Sequence, residues 1–333
     1  MAGSTLGWGL VGLGGIADKE IAPAITSTES ATLVGVVSRD QGRAEAFAQR
    51  HGALHALHDY DQLLAEPSVG AVYIATPNAL HVDQTIAAAR AGKHVLCDKP
   101  LAMSAADAER VISECDKAGV SLGVTFQTRN HEGMADAKAA IAEGRIGSVV
   151  LAEIEMSPGR TMIKGWRTDK SLAGIGAMNN IGVHAYDLLR YLLGSEVSEV
   201  TAMLASEPGF DLDLTSLALM RFENGALAYV NANQTVPNFR PDVVVYGSKG
   251  RIIFDNLSRP NREGTIEVLT EEGRTERPAD SKTAYRKTVG DFTQAVLEGR
   301  EPSPSGLDGL RSVELTDAMS TSAREGRLVR LSR

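Results

Sequence analysis

Cysteine is scarce: Cys97 and Cys115 are the only two in 333 residues. Two thiols cannot build a disulfide framework, so a reducing, cytoplasmic setting is expected. Net positive charge is also missing. Lys and Arg number 34 against 42 Asp and Glu, a net charge of −8, and no basic patch for nucleic acid is expected. No apolar run approaches the roughly 20 residues of a membrane span. The first residues lack a basic stretch, and their apolar run is broken by Gly7, Gly9, Gly12, Gly14 and Gly15; they do not read as a secretory leader. Internal repeats, low-complexity tracts and long linkers are absent. What remains is a composition normal for a soluble globular protein, 43% hydrophobic and 23% charged, with enough length for two domains.

Up to residue 125, short apolar runs alternate with helical stretches. Strands are expected at Leu6 to Gly12, Ala31 to Val37, His55 to Leu57, Ala71 to Ala75, His94 to Cys97 and Ser121 to Thr125. Alternation of this length implies a doubly wound parallel sheet. The run at Ala71 is almost wholly apolar, as burial on both faces requires. Beyond residue 125 strands follow one another, and Asn224-Gly225 reads as a hairpin turn. Grouped strands point to an α+β domain with an open, mostly antiparallel sheet. The expected division is 1–125 and 126–333.

The first strand runs into Gly12-Leu13-Gly14-Gly15-Ile16-Ala17 and then a helix. In that context Gly12 permits a tight turn, Gly14 lets the backbone approach a pyrophosphate, and the helix N-terminus receives its charge. At the end of the second strand, NAD enzymes keep an acid for the ribose. Here Ser38-Arg39 stands, with Arg43 one turn further on. A hydroxyl and two guanidinium groups suit a 2′-phosphate, which points to NADP(H). Asp40, if turned to the ribose, would mean NAD(H) instead.

Val95-Leu96-Cys97-Asp98-Lys99-Pro100 is an apolar strand stopped by two charges and a proline. Lys99 thus stands at the carboxyl end of a parallel strand, the edge where such sheets bind ligands. An ammonium there can anchor a substrate oxygen or deliver its proton. The Lys99–Pro100 bond is expected to be cis. Thr76-Pro77-Asn78 ends another strand on the same rim, with His81 beside it as a ligand contact or a structural cap. Later, Asn180 precedes His184 by four residues at the start of a helix, and Asp187 can touch His184 from one turn on. No group of His, Cys, Asp and Glu has metal-ligand spacing.

Together these motifs resemble the Gfo/Idh/MocA family, named for glucose–fructose oxidoreductase, inositol dehydrogenase and a rhizopine-catabolism protein. The likeness covers nearly the whole chain. The family's Glu-Lys-Pro appears as Asp98-Lys99-Pro100, and its Asp-x-Gly-x-His-x-x-Asp as Asn180 to Asp187. Gly165-Trp166-Arg167 is similar to members that reduce a sugar ketone with NADP. The resemblance implies an active site in a cleft between two domains, with Lys99 catalytic and His184 its acid/base partner. Asn180 stands where the family commonly has Asp; an amide cannot take up a proton, so its implied role is to orient substrate. Implied cofactor contacts are Gly12, Gly14, Gly15, Ile16, Ala17, Ser38, Arg39, Arg43, Thr76, Pro77, Asn78, His81, Asp98, Lys99, Trp166, Arg167 and Tyr285. No metal is implied, and assembly as a homodimer or dimer of dimers through the second sheet's open face is.

The resulting expectation is an NADP(H)-dependent oxidoreductase moving hydride to or from a secondary alcohol or ketone carbon. Its substrate would be a sugar, an anhydro-sugar or a cyclic polyol. An NAD-dependent sugar or inositol dehydrogenase, and a glycosidase that uses bound NAD transiently, are the enzymatic alternatives. A nucleotide-binding sensor or corepressor is the non-enzymatic one.

Overall fold

The computed structural model describes residues 5–237, 242–256 and 262–331. The chain forms two compact units. One comprises the residues up to Thr125 together with Tyr285–Leu310; the other comprises Phe126–Ala284 and the residues from Arg311 on. The expected division is corrected for one segment, 285–310, which groups with the first unit. Its apolar side chains explain this: Tyr285, Val289 and Phe292 join the core that contains Trp8 and Leu10. The Phe292 and Trp8 rings lie 5.5 Å apart, and Trp8 Nε1 donates to Thr293 Oγ1 at 3.2 Å.

The first unit is built on six strands: β1 (Leu6–Val11), β2 (Ala31–Val37), β3 (His55–Leu57), β4 (Ala71–Ile74), β5 (His94–Cys97) and β6 (Leu122–Val124). All pair in parallel, in the order β3-β2-β1-β4-β5-β6. The order reverses between β1 and β4, the switch point at which open α/β sheets take ligands. Helices α1 (Ala22–Thr26), α2 (Gln41–His51), α3 (Tyr60–Ala65), α4 (His81–Arg90) and α5 (Ala105–Ala118) connect the strands. Ser104 caps α5 by accepting the Asp107 N–H at 3.2 Å, and its hydroxyl donates to the Asp107 carboxylate at 2.8 Å. Register decides what the rim contains. Val11 lies opposite Val37 and Ile74, Ile74 opposite Cys97, and Cys97 opposite Val124. The loops that follow all five strands therefore leave from one edge.

Among the described residues, the second unit carries α6 (Met134–Ala142), α7 (Lys170–Ala173), α8 (Val183–Leu193) and nine strands. These are β7 (Val149–Met156), β8 (Val197–Ala205), β9 (Thr215–Phe222), β10 (Leu227–Asn233), β11 (Val243–Gly247), β12 (Gly250–Asp255), β13 (Glu263–Thr270), β14 (Gly273–Asp280) and β15 (Val329–Arg330). Their order is β14-β13-β12-β11-β7-β10-β9-β8-β15, antiparallel except for the β7–β10 pair. Alternate residues, such as Ala152, Ile154 and Met156 on β7, enter the core with α6 and α8. Helices α9 (Ala284–Glu298) and α10 (Gly306–Glu325) follow β14. Among the described residues, no helix is long and apolar enough to cross a membrane.

One buried ion pair fixes α8. Asp187 is 0% exposed and Arg129 8%, and the guanidinium meets the carboxylate with both Nε, at 2.7 Å, and a terminal nitrogen. Removing one partner of such a pair leaves an uncompensated buried charge. Asp187→Ala is expected to cost about 3–5 kcal/mol, read as a lower denaturation midpoint. A loss under about 1 kcal/mol would mean that solvent reaches the guanidinium.

Candidate active site

On the rim of the parallel sheet, Gly12 has φ +87°, and a Cβ there would come 2.6 Å from the Ala75 carbonyl carbon. Only glycine fits that turn. The helical run begins at residue 15, passes through a π-turn at Ala17–Ile21 and continues as α1. A Cβ built on Gly14 or Gly15 would meet nothing within 4 Å. The Gly14 N–H donates to the Gly12 carbonyl at 3.0 Å, and glycine backbone beside open space at a helix start forms a cradle that suits a pyrophosphate. A cavity of about 220 Å³ lies against this loop, lined in part by Leu13, Gly14, Asp18, Arg43 and Arg50.

The loop after β2 separates the candidates for the ribose. Asp40 is the N-cap of α2: its Oδ1 accepts the Arg43 N–H at 3.1 Å. Its own N–H donates to Ser38 Oγ at 3.2 Å. The carboxylate is thus turned to the helix N-terminus, where an acid is stabilised. The Arg43 guanidinium donates to the Leu13 carbonyl, next to the glycine turn. Arg39 is exposed. Asp18, in the same corner, holds Arg50 at 2.5 Å and His51 at 2.8 Å, with its carboxyl below the usual range chiefly through the His51 hydrogen bond.

After β4, the Thr76 hydroxyl donates to Gln84 Oε1 at 2.6 Å, and Asn78 is buried. His81 sits between two loops of this rim. It is 1% exposed, with Nδ1 2.7 Å from the Pro100 carbonyl oxygen and Nε2 2.9 Å from that of Thr76. The ring lies between these two carbonyls, so the side chain ties the β4 and β5 loops together. Lys99 follows β5, half-buried, with its N–H donating to Asp98 Oδ1 at 2.9 Å. The Lys99–Pro100 bond is cis. Beneath them Tyr73 is wholly buried, and its phenol is pushed well above its usual range, first by burial and then by the Asp98 charge. Tyr285 lies in the core of this same unit.

In the second unit, Asn180 and His184 occupy one continuous helical run, a π-turn at Met178–Gly182 leading into α8. Single π-turns of this kind recur at functional sites. His184 meets the Phe126 ring edge-on at 6.5 Å. Trp166 and Arg167 share a 3₁₀ turn, Gly165–Thr168, with the guanidinium stacked 4.4 Å from the indole centroid. Two functional candidates escaped the sequence reading. Asp213 accepts the N–H groups of Gly176 at 2.6 Å and Met178 at 2.9 Å. Gln234 Oε1 accepts from Asn180 Nδ2 at 2.8 Å. The faint signals were an acid one residue before an apolar strand and a run of amides, Asn231, Asn233 and Gln234, at a strand end.

Residues 6–126 match the Gfo/Idh/MocA model described as an oxidoreductase family with an NAD-binding Rossmann fold, and residues 134–253 match the Gfo/Idh/MocA C-terminal domain. The chain is 33% identical to 1,5-anhydro-D-fructose reductase from Ensifer adhaerens, over 96% of each chain. An aldose-aldose oxidoreductase from Caulobacter crescentus, solved with glycerol, superposes with a TM-score of 0.92 at 29% identity, covering 98% of this chain and 100% of that one. Levoglucosan dehydrogenase, solved with NADH and levoglucosan, superposes at 0.89 with 26% identity, covering 99% and 100%.

Proposed function

Since this chain belongs to the Gfo/Idh/MocA oxidoreductase family, we propose that it is an NADP(H)-dependent oxidoreductase interconverting a secondary alcohol and a ketone on a sugar, an anhydro-sugar or a cyclic polyol. The observation that carries this reading is the shared rim: the glycine cradle, the Ser38 loop and Lys99 leave one edge of one sheet. A bound nicotinamide dinucleotide supplies hydride chemistry at the substrate carbon. The chain's own residues hold the substrate and handle its proton. The Lys99 ammonium donates to the carbonyl oxygen, drawing charge onto it, and the proton that completes the alcohol comes from Lys99 or His184. In the oxidising direction the same groups receive it. Asn180 orients a neighbouring hydroxyl. Trp166 and Arg167 contribute to cofactor binding, as Thr76, Pro77, Asn78 and Tyr285 do.

NAD in place of NADP is a second reading, favoured by levoglucosan dehydrogenase having been solved with NADH. A fluorescence screen decides between them: D-glucose, D-xylose, myo-inositol and levoglucosan with NADP and NAD, and 1,5-anhydro-D-fructose with the reduced cofactors. Turnover of none of these with either cofactor would end the proposal. Self-association belongs to the same reading. The open face of the nine-stranded sheet presents Met203 and Leu219, 73% and 62% exposed, and we expect light scattering to give the mass of a dimer or a dimer of dimers.

A further inference from the structure

Helix α2 is tied at both ends to the segment that carries the glycine turn. At its first turn the Arg43 guanidinium donates to the Leu13 carbonyl. At its last turn Arg50 Nη1 and His51 Nε2 reach one oxygen of Asp18, Oδ1, at 2.5 and 2.8 Å. Asp18 is itself placed by the turn, its N–H donating to the Gly14 carbonyl at 3.0 Å. Between the two ties lies the cavity of about 220 Å³, with Leu13, Gly14 and Asp18 on one side and Arg43, Phe47 and Arg50 on the other. Arg43, Phe47 and Arg50 fall at i, i+4 and i+7, so one face of α2 forms that wall. Phe47 is buried in the core of the unit, and the His51 ring packs 4.5 Å from it. Packing thus fixes the middle of the wall, and the two guanidinium groups stand at its ends.

A guanidinium carries five donors in a planar fork. Arg50 spends one terminal nitrogen on Asp18, and the Arg43 guanidinium spends one on Leu13; among the described residues their other nitrogens make no hydrogen bond. Two forks with unspent donors, facing glycine backbone across a cavity, suit a phosphate monoester. The α2 wall starts at the loop after β2, where such sheets meet the ribose 2′ position. We propose that the cavity receives the 2′-phosphate of the dinucleotide, with Arg50 as a specificity-determining cation beside Arg43. Asp18 is then the counter-charge that holds Arg50 and limits the preference for the phosphorylated cofactor. The inference rests on the reading above in one respect, that the chain binds a nicotinamide dinucleotide at the glycine turn. Charge gives it a sign. The two arginines and Asp18 leave one net positive charge at the cavity. Removing Arg50 removes that charge; neutralising Asp18 doubles it. A purely structural tie between α2 and the glycine segment has no such sign.

Arg50→Gln and Asp18→Asn test this, the second retaining an oxygen for Arg50. Fluorescence titration gives Kd for NADPH and NADH without turnover. The ratio of the NADH Kd to the NADPH Kd is expected to fall about 10-fold in Arg50→Gln and to rise about 3-fold in Asp18→Asn. Raising the salt from about 0.05 M to about 0.5 M should shrink both changes, because the charges are exposed. A tie that only joins α2 to the glycine segment would weaken both cofactors together in either variant, at any salt, and that result would overturn the proposal. So would a ratio that moves the same way in both variants, or one that stays put in Arg50→Gln. Calorimetry with adenosine 2′-monophosphate and adenosine 5′-monophosphate judges the cavity alone. Arg50→Gln is expected to weaken the 2′ isomer about 10-fold and the 5′ isomer less than about 2-fold. Equal losses, or a loss seen with inorganic phosphate only, would overturn the assignment to the 2′-phosphate. A wild-type protein that binds NADH more tightly than NADPH would instead count against the reading of function, and the two isomers would still judge the cavity.

Discussion

Lys99→Ala is expected to lower kcat by about 10²-fold or more, the scale of general acid or electrostatic help to a reacting oxygen, while dinucleotide binding survives. The expectation comes from placement. The strand β5 is apolar and buried from Val95 to Cys97, where it ends, and Pro100 follows three residues on. Lys99 is therefore the first long side chain to leave the sheet on its ligand edge. Its backbone is held on both sides: Asp98 Oδ1 takes its N–H at 2.9 Å, and the next residue's carbonyl is 2.7 Å from His81 Nδ1. A flexible stem starting from a fixed backbone would hold the ammonium near a substrate oxygen at a lower entropic cost. Lys99→Arg retains charge, but a guanidinium does not release a proton near neutral pH. Both variants should bind dinucleotide within a few-fold of wild type by fluorescence titration, and both should be slow. Near-normal kcat in Lys99→Ala would sink the proposed mechanism; activity retained in Lys99→Arg alone would reduce the lysine's role to charge.

The second large effect concerns cofactor choice. Ser38 stands where a carboxylate would repel a 2′-phosphate; of the acids nearby, Asp40 is occupied as the cap of α2 and Asp18 is paired with Arg50 and His51. Arg39 and Arg43 are cations available to that phosphate. Each charge-assisted bond is worth about 1.5–3 kcal/mol. At about 1.4 kcal/mol per tenfold, and allowing for solvent screening, the pair is expected to favour NADP by roughly 10–1000-fold. Ser38→Asp is expected to reverse the preference, since it repels the phosphate and offers the ribose hydroxyls an acceptor. Arg39→Ala should weaken NADP far more than NAD. Dissociation constants and kcat/KM for both cofactors, in wild type and the two variants, check this. A wild-type preference for NAD would show that the Ser38 loop has been misread.

Legibility in the sequence followed locality. Strands β2, β3, β5 and β7 and helices α2 and α3 begin and end where their apolar runs and flanking turn residues place them. Strand β14 was invisible because it is a charged, exposed edge strand containing Pro278. Those are the features that protect an edge from further pairing, and they make it read as a loop. The segment 285–310 carried a clear amphipathic pattern, but an apolar helical face does not state which core it will enter. Phe292 against Trp8 decided that.

The sequence by itself determined the doubly wound sheet, the glycine turn and the position of Lys99 at a strand end. Each depends on backbone conformation and apolar runs spanning a few neighbouring residues. Only the tertiary structure decided what the polar side chains face. Whether Asp40 turns to ribose or to α2, and whether His81 meets a ligand or two carbonyls, depends on which donors and acceptors the fold brings within about 3 Å. Asn180 makes the point most sharply. Its type is plain from the sequence, but the amide it bonds, Gln234, lies 54 residues away. Such contacts cost chain entropy to close and are defined only once the strands between them have paired.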